Sequence, residues 1–177
     1  MVERWQRNMR CIFLGGSTRS SSSRPGATVL RPGIEFWVRL ILAAIDHRRG
    51  LPSFVRWIFA DTARKDPKWV EATLELLVIN MRSLQRRKTP VPPVLTDAEW
   101  GSLRTPALFL VGEHEKMYSA EKAVSRLKRV APEVIAEIVP GAGHDLTSAR
   151  PAVVNQRILE FLKQERTALK MSGACAC

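Results

Sequence analysis

From Pro106 to Ala168 the hydrophobic residues alternate between two periods, and this alternation limits the possible fold more than any other feature of the chain. Ala107 to Val111 is a short continuous apolar run closed by Gly112, the pattern of a strand buried on both faces. Residues 119 to 130 return to helical spacing, with Ala123, Val124, Leu127 and Val130 recurring at three and four positions. Val134 to Val139 reads as a second strand stopped by Pro140-Gly141, and a last helix near Ala152 to Ala168 places Val153, Ile158, Leu159 and Leu162 on one side. The simplest geometry for strand, helix, strand, helix is a right-handed crossover that leaves the strands parallel, which assigns this half to an α/β layer. Two parallel strands cannot bury both faces unaided, so this half requires further cover.

Upstream the pattern is helical. Ile34, Trp37, Val38, Ile41, Leu42 and Ile45 form one apolar face that runs to the stop His47-Arg48-Arg49-Gly50. A second helix starts at Pro52 or Ser53 and presents Phe54, Trp57 and Ile58. A third follows Asp66, with Pro67 at its first position, and runs through Trp69, Val70, Leu74, Leu77 and Met81. Pro90, Pro92 and Pro93 end regular structure, and Thr96 with Glu99 has the form of a capping box. Four zones result: an irregular leader over 1–26 that includes the serine run Ser20 to Ser23, helices over 27–100, an α/β segment over 101–166, and a flexible tail over 167–177.

Composition excludes several classes. With 177 residues, 45% hydrophobic and 25% charged, the chain has the balance of one globular domain and not of a disordered, collagenous or coiled-coil protein. Its long apolar stretch, Ile34 to Ile45, contains Glu35 and Arg39 and is too short to span a bilayer. No secretory signal is legible, so a cytoplasmic location is expected. Cys11, Cys175 and Cys177 offer neither a disulfide framework nor a zinc spacing. The ending Cys175-Ala176-Cys177 resembles the doubly prenylated ending of some vesicle-traffic GTPases, but with no phosphate-binding loop it reads as an unstructured terminus. The three histidines are far apart in sequence, so neither a metal nor an organic cofactor is indicated. A net charge of +11 invites a nucleic-acid reading. Against it, residues 1–24 supply +4 of that charge, Arg48 with Arg49 and the cluster Arg82, Arg86, Arg87 and Lys88 read as solvated helix ends, and no aromatic residues interleave them.

The loops after the two strands hold the groups with chemical potential, because open α/β sheets build sites at the C-terminal ends of their strands. The first is Gly112-Glu113-His114-Glu115 and the second Gly141-Ala142-Gly143-His144-Asp145. A carboxylate after one strand and an imidazole after the next can meet across the sheet edge, where the carboxylate fixes the tautomer and stabilises the imidazolium. Taken singly, a histidine in a glycine turn is a turn residue and a loop carboxylate is solvated. Trp37, Trp57 and Trp69 either line an acyl pocket or pack the helices onto the body.

The run Pro106-Ala107-Leu108-Phe109-Leu110-Val111-Gly112-Glu113-His114-Glu115, with Ile138-Val139-Pro140-Gly141-Ala142-Gly143-His144 and Val153 to Leu162, resembles the C-terminal third of the α/β-hydrolase fold family. The resemblance implies an incomplete α/β-hydrolase fold, in which residues 31–100 correspond to the lid that such enzymes insert before the acid-bearing strand. By position it makes Glu115 the triad acid and His144 the general base, with Glu113, His114 and Asp145 one or two places off. Glutamate is an accepted variant where the family usually has aspartate.

The nucleophile of that family sits on a G-x-S-x-G elbow, and the chain contains no such motif; Gly15-Gly16-Ser17-Thr18-Arg19 lacks the final glycine. Triplets read from the last base of each codon convert the serine run to apolar residues and are compatible with glycines, an alanine-rich helix and a buried strand. A frame-shifted leader is therefore expected, its start codon just past the true nucleophile and its frames rejoining between Ser23 and Ala27. Three readings follow. One is a truncated serine hydrolase of ester or small acyl substrates, inactive as an isolated chain. The second is a non-catalytic binding or assembly module, which self-associates through an exposed sheet edge. The third is a basic nucleic-acid-binding protein.

Overall fold

The structure is a computed structural model that describes residues 11–14, 17–19, 29–46, 48–83, 94–103 and 106–171, with backbone alone for 11–14, 17–19, 80–83, 165–166 and 168–171. His47, the serine run 20–23, Arg86 to Lys88 and the terminal cysteines Cys175 and Cys177 lie outside the described residues.

Four strands form one sheet in the order β2-β1-β3-β4. β3 (Ala107–Gly112) pairs in parallel with β4 (Val134–Val139), Leu108 opposite Ile135 and Val111 opposite Ile138. The two parallel strands read from the sequence are therefore present. The leader contributes two more: β1 (Cys11–Leu14) runs parallel to β3, and β2 (Ser17–Arg19) returns antiparallel to β1. The stretch expected to be irregular thus contains two short strands. With only 4 and 3 residues they are too short to carry a readable period.

All six residues of β3 are buried, and alternate side chains enter different cores. Ala107, Phe109 and Val111 join Trp100, Val29 and the apolar stripe Ala123, Val124 and Leu127 of α6 (Ala120–Val130). Leu108 and Leu110 join Val139, Leu146 and Ala149 of α7 (Leu146–Ala149), and Val154 and Phe161 of α8 (Pro151–Met171). Helices therefore cover β3 from both sides, which is why its sequence is continuously apolar. α8 extends three residues past the expected helix end, into the segment read as tail.

The helical zone comprises α1 (Ile34–Ile45), α2 (Gly50–Ile58), α3 (Ala60–Lys65) and α4 (Pro67–Ser83), followed by α5 (Asp97–Gly101). The Thr96–Glu99 capping box forms as expected: Glu99 N–H donates to Thr96 Oγ1 at 3.2 Å and Thr96 N–H to Glu99 Oε2 at 2.9 Å. Arg126 of α6 fastens this zone to the body, donating to Asp97 and to the carbonyls of Val29 and Leu95; that pairing holds the Asp97 carboxyl below the usual carboxylate range. The apolar face of α1 takes a different orientation from the one its spacing suggests. Ile34, Val38, Ile41, Leu42 and Ile45 are exposed, whereas Phe36, Leu40 and Ala43 on the opposite side face the other helices. α1 is apolar nearly all round, so its period alone does not identify the buried side.

The two sheet-edge loops meet because Gly112 has no side chain. A Cβ there would stand 2.3 Å from the Gly143 carbonyl oxygen and 2.4 Å from that of Ala142. The turn itself uses a left-handed residue, Gly141, at φ 62°. Backbone bonds then fasten the loops, Glu113 N–H to Val139 O at 3.0 Å and His114 N–H to Ala142 O at 2.8 Å. Gly112→Ala is expected to destabilise the fold by about 2–3 kcal/mol, because main chain must move to admit the methyl; urea unfolding measures this, and a loss below about 0.5 kcal/mol contradicts the close approach.

Candidate active site

Glu115 closes the loop after β3, and its N–H donates to the Gly112 carbonyl at 3.2 Å, turning the side chain inward. Its carboxylate is fully buried and its Oε1 accepts the N–H groups of Lys116 at 2.8 Å and Met117 at 2.9 Å. The same carboxylate receives the imidazole of His144, with Nδ1 at 3.0 Å from Oε1 and 3.1 Å from Oε2. A carboxylate only accepts hydrogen bonds, so Nδ1 carries a proton, and in the neutral imidazole Nε2 then keeps the lone pair. The His144 side chain is 16% exposed, so part of the ring remains accessible.

The neighbouring candidates serve other partners. Glu113 Oε2 accepts the Gly141 N–H at 2.8 Å and so ties the turn. His114 Nδ1 lies 3.1 Å from Oδ2 of Asp61, and Asp145 Oδ2 accepts the Thr62 N–H at 3.1 Å. Asp61, on α3, escaped the sequence reading: α3 is six residues long and polar, and a carboxylate in a first helical turn ordinarily reads as a partner of the helix dipole. Only the tertiary fold shows it buried against a loop 53 residues away.

Phe59, between α2 and α3, stands with its ring centroid 5.8 Å from that of His144 and is braced edge-on by Trp69 at 5.3 Å. Beyond it opens a cavity of about 520 Å³ walled by Phe36, Leu40, Phe54, Phe59, Leu77 and Met117, with His144 at its rim. None of the three tryptophans singled out in the sequence lines this cavity. Phe36 precedes Trp37 by one residue, a rotation of about 100° round the helix, enough to exchange the inner for the outer face. Among the described residues no group of three metal-ligating side chains converges, and no helix is long and apolar enough to cross a membrane.

Over 123 residues, 68% of its length, the chain is 37% identical to carboxylesterase YbfK of Bacillus subtilis (strain 168), of which the matched stretch is 41%. Its fold superposes on the crystal structure of carboxylesterase CesB (YbfK) from Bacillus subtilis with a TM-score of 0.66 at 30% identity, covering 86% of this chain and 50% of that one. The chain belongs to the α/β-hydrolase fold family. Naproxen esterase (carboxylesterase NP) from Bacillus subtilis matches with a TM-score of 0.64 at 27% identity, over 85% of this chain and 50% of that structure. No family model matches the sequence. This α/β-hydrolase chain spans about half the length of the solved relatives and 41% of the curated YbfK carboxylesterase.

Beside Glu115 the Tyr118 phenol is pushed far above its ordinary value, first by burial and second by the Glu115 charge. A group whose folded pKa exceeds its unfolded value supports the fold below the unfolded pKa and loses that support as pH rises toward the folded one. Tyr118 is the single tyrosine in the chain, so absorbance at 295 nm reports it alone. Ionisation is expected above pH 10 and together with unfolding; a reversible titration near pH 10 in folded protein contradicts the burial.

Proposed function

We propose that this chain carries the acid and the base of a serine ester hydrolase, with Glu115 as the acid and His144 as the general base. The observation that carries the reading is the fully buried Glu115 carboxylate at 3.0 and 3.1 Å from His144 Nδ1, at the rim of an aromatic cavity. Nε2 of His144 takes the proton of an attacking hydroxyl as its oxygen bonds to the ester carbonyl carbon. The resulting imidazolium is stabilised by Glu115 and returns that proton to the departing alkoxide, leaving an acyl-enzyme. Water repeats the sequence to release the acid. The 177 residues contain no G-x-S-x-G, so on this reading the hydroxyl comes from outside them, in keeping with solved relatives of which this chain covers only 50%. Helices α1 to α4 act as the lid, and the substrate is a small ester whose apolar part fills the cavity walled by Phe36, Phe54 and Phe59. No step requires a metal, a cofactor or nucleic acid.

A second reading, a docking module, is favoured by the outer face of α1, where Ile34 is 83% and Ile45 75% exposed. A fluorophosphonate probe separates the two. The isolated chain is expected to remain unlabelled. A chimera in which the part of the YbfK carboxylesterase that this chain does not match replaces residues 1–28 is expected to be labelled and to hydrolyse a 4-nitrophenyl ester. His144→Ala in that chimera lowers kcat by about 10³-fold or more. One label per isolated chain, or a folded chimera indifferent to His144→Ala, overturns the proposal.

A further inference from the structure

We propose that Asp61 and Asp145 are positioning residues: a pair of buried carboxylates that clamps α3 to the two sheet-edge loops and thereby sets Phe59 against the His144 imidazole. The proposal rests on the reading of Glu115 and His144 as the acid–base pair. Asp61 and Asp145 are 7% and 6% exposed, and Thr62 beside Asp61 is 6% exposed; among the described residues these three are the polar or charged ones buried over the whole residue.

Their bonds run between segments far apart in sequence. Asp145 directly follows His144, and its Oδ2 accepts the Thr62 N–H at 3.1 Å. Asp61 Oδ2 takes His114 Nδ1 at 3.1 Å, while its Oδ1 takes the Arg64 guanidinium. Lys65 Nζ, at the end of the same helix, donates to the Ala149 carbonyl at 2.9 Å. One short helix is thus fastened to the loop after β3, to the loop after β4 and to the end of α7. The two carboxylates converge on the main chain that delivers the base: a Cβ on Gly143 would be 3.0 Å from Asp61 Oδ2 and 3.5 Å from Asp145 Oδ1.

Phe59 lies two residues before Asp61, too close along the chain to move independently of α3, and its ring stands 5.8 Å from His144. Asp145 Oδ1 and Thr62 Oγ1 have no hydrogen-bond partner among the described residues. At the loop after β4 the anchoring therefore depends on the Thr62 N–H···Oδ2 bond, which acts beside the Asp61–His114 and Lys65–Ala149 links of the same helix.

The test reads geometry on the existing chain, in which only three histidines complicate the imidazole spectrum. In the wild-type protein an NOE between the Phe59 and His144 rings is expected, with slow exchange of the Thr62 amide. Asp145→Ala and Asp61→Ala each lose the NOE, and Asp145→Ala exchanges Thr62 about tenfold faster or more. Asp145→Asn, whose amide oxygen still accepts from Thr62 N–H, retains both. If an alanine variant fails to fold, Asp145→Glu answers instead: it moves the acceptor by about 1.5 Å, and the NOE must weaken. An NOE unchanged in folded alanine or glutamate variants overturns the clamp and leaves the acid–base reading intact. That reading fails separately, through chimera activity indifferent to His144.

Discussion

The arrangement at the sheet edge depends on one buried carboxylate being fully occupied. Glu115 is shielded from solvent, which is costly for an anion unless donors replace the lost water. Here two backbone N–H groups and one imidazole do so. The same arrangement that makes burial tolerable also orients His144, because an acceptor-only partner at Nδ1 leaves Nε2 as the basic atom. Support of the anion and orientation of the imidazole are one interaction viewed from its two ends.

The fold is arranged to bring these two side chains within reach of each other. β3 and β4 are parallel neighbours, so the loops that leave their C-terminal ends emerge on the same edge. Gly112 allows the second loop to lie on the first, and Glu113 fastens the turn that carries His144. The helical zone adds an aromatic wall at Phe59 and a cavity beyond it. Exposed isoleucines on the outer side of α1 mark a surface that the described residues leave uncovered.

Elements with a sustained period or strong punctuation were legible in the sequence. α1 and α4 showed helical spacing, with Pro67 at the start of α4, although Gly50, read as part of the stop after α1, opens α2; β3 and β4 were short runs stopped by Gly112 and Pro140, and the Thr96–Glu99 box announced α5. β1, β2, α3 and α7 were not legible, being 3 to 6 residues long and held by contacts with distant segments. For the same reason Asp61 was invisible. That a loop carboxylate and an imidazole could meet was legible from the glycine-bounded loops, and the family resemblance singled out Glu115 and His144, but the inner face of α1 was not legible, because apolar residues surround that helix. Of the two roles open to Trp37, Trp57 and Trp69, lining this cavity is not the one they take; Phe36, Phe54 and Phe59, positions one to ten residues away, wall it instead.

The most direct test of the account is the protonation of the His144 ring. In ¹⁵N-labelled protein at pH 8, with His47 and His114 as internal references, nitrogen shifts distinguish the two tautomers. The account requires a slowly exchanging proton on His144 Nδ1 and an unprotonated Nε2, with that proton signal lost in Glu115→Ala. A proton on Nε2 with Nδ1 bare, or an Nδ1 signal that survives removal of the Glu115 carboxylate, contradicts it.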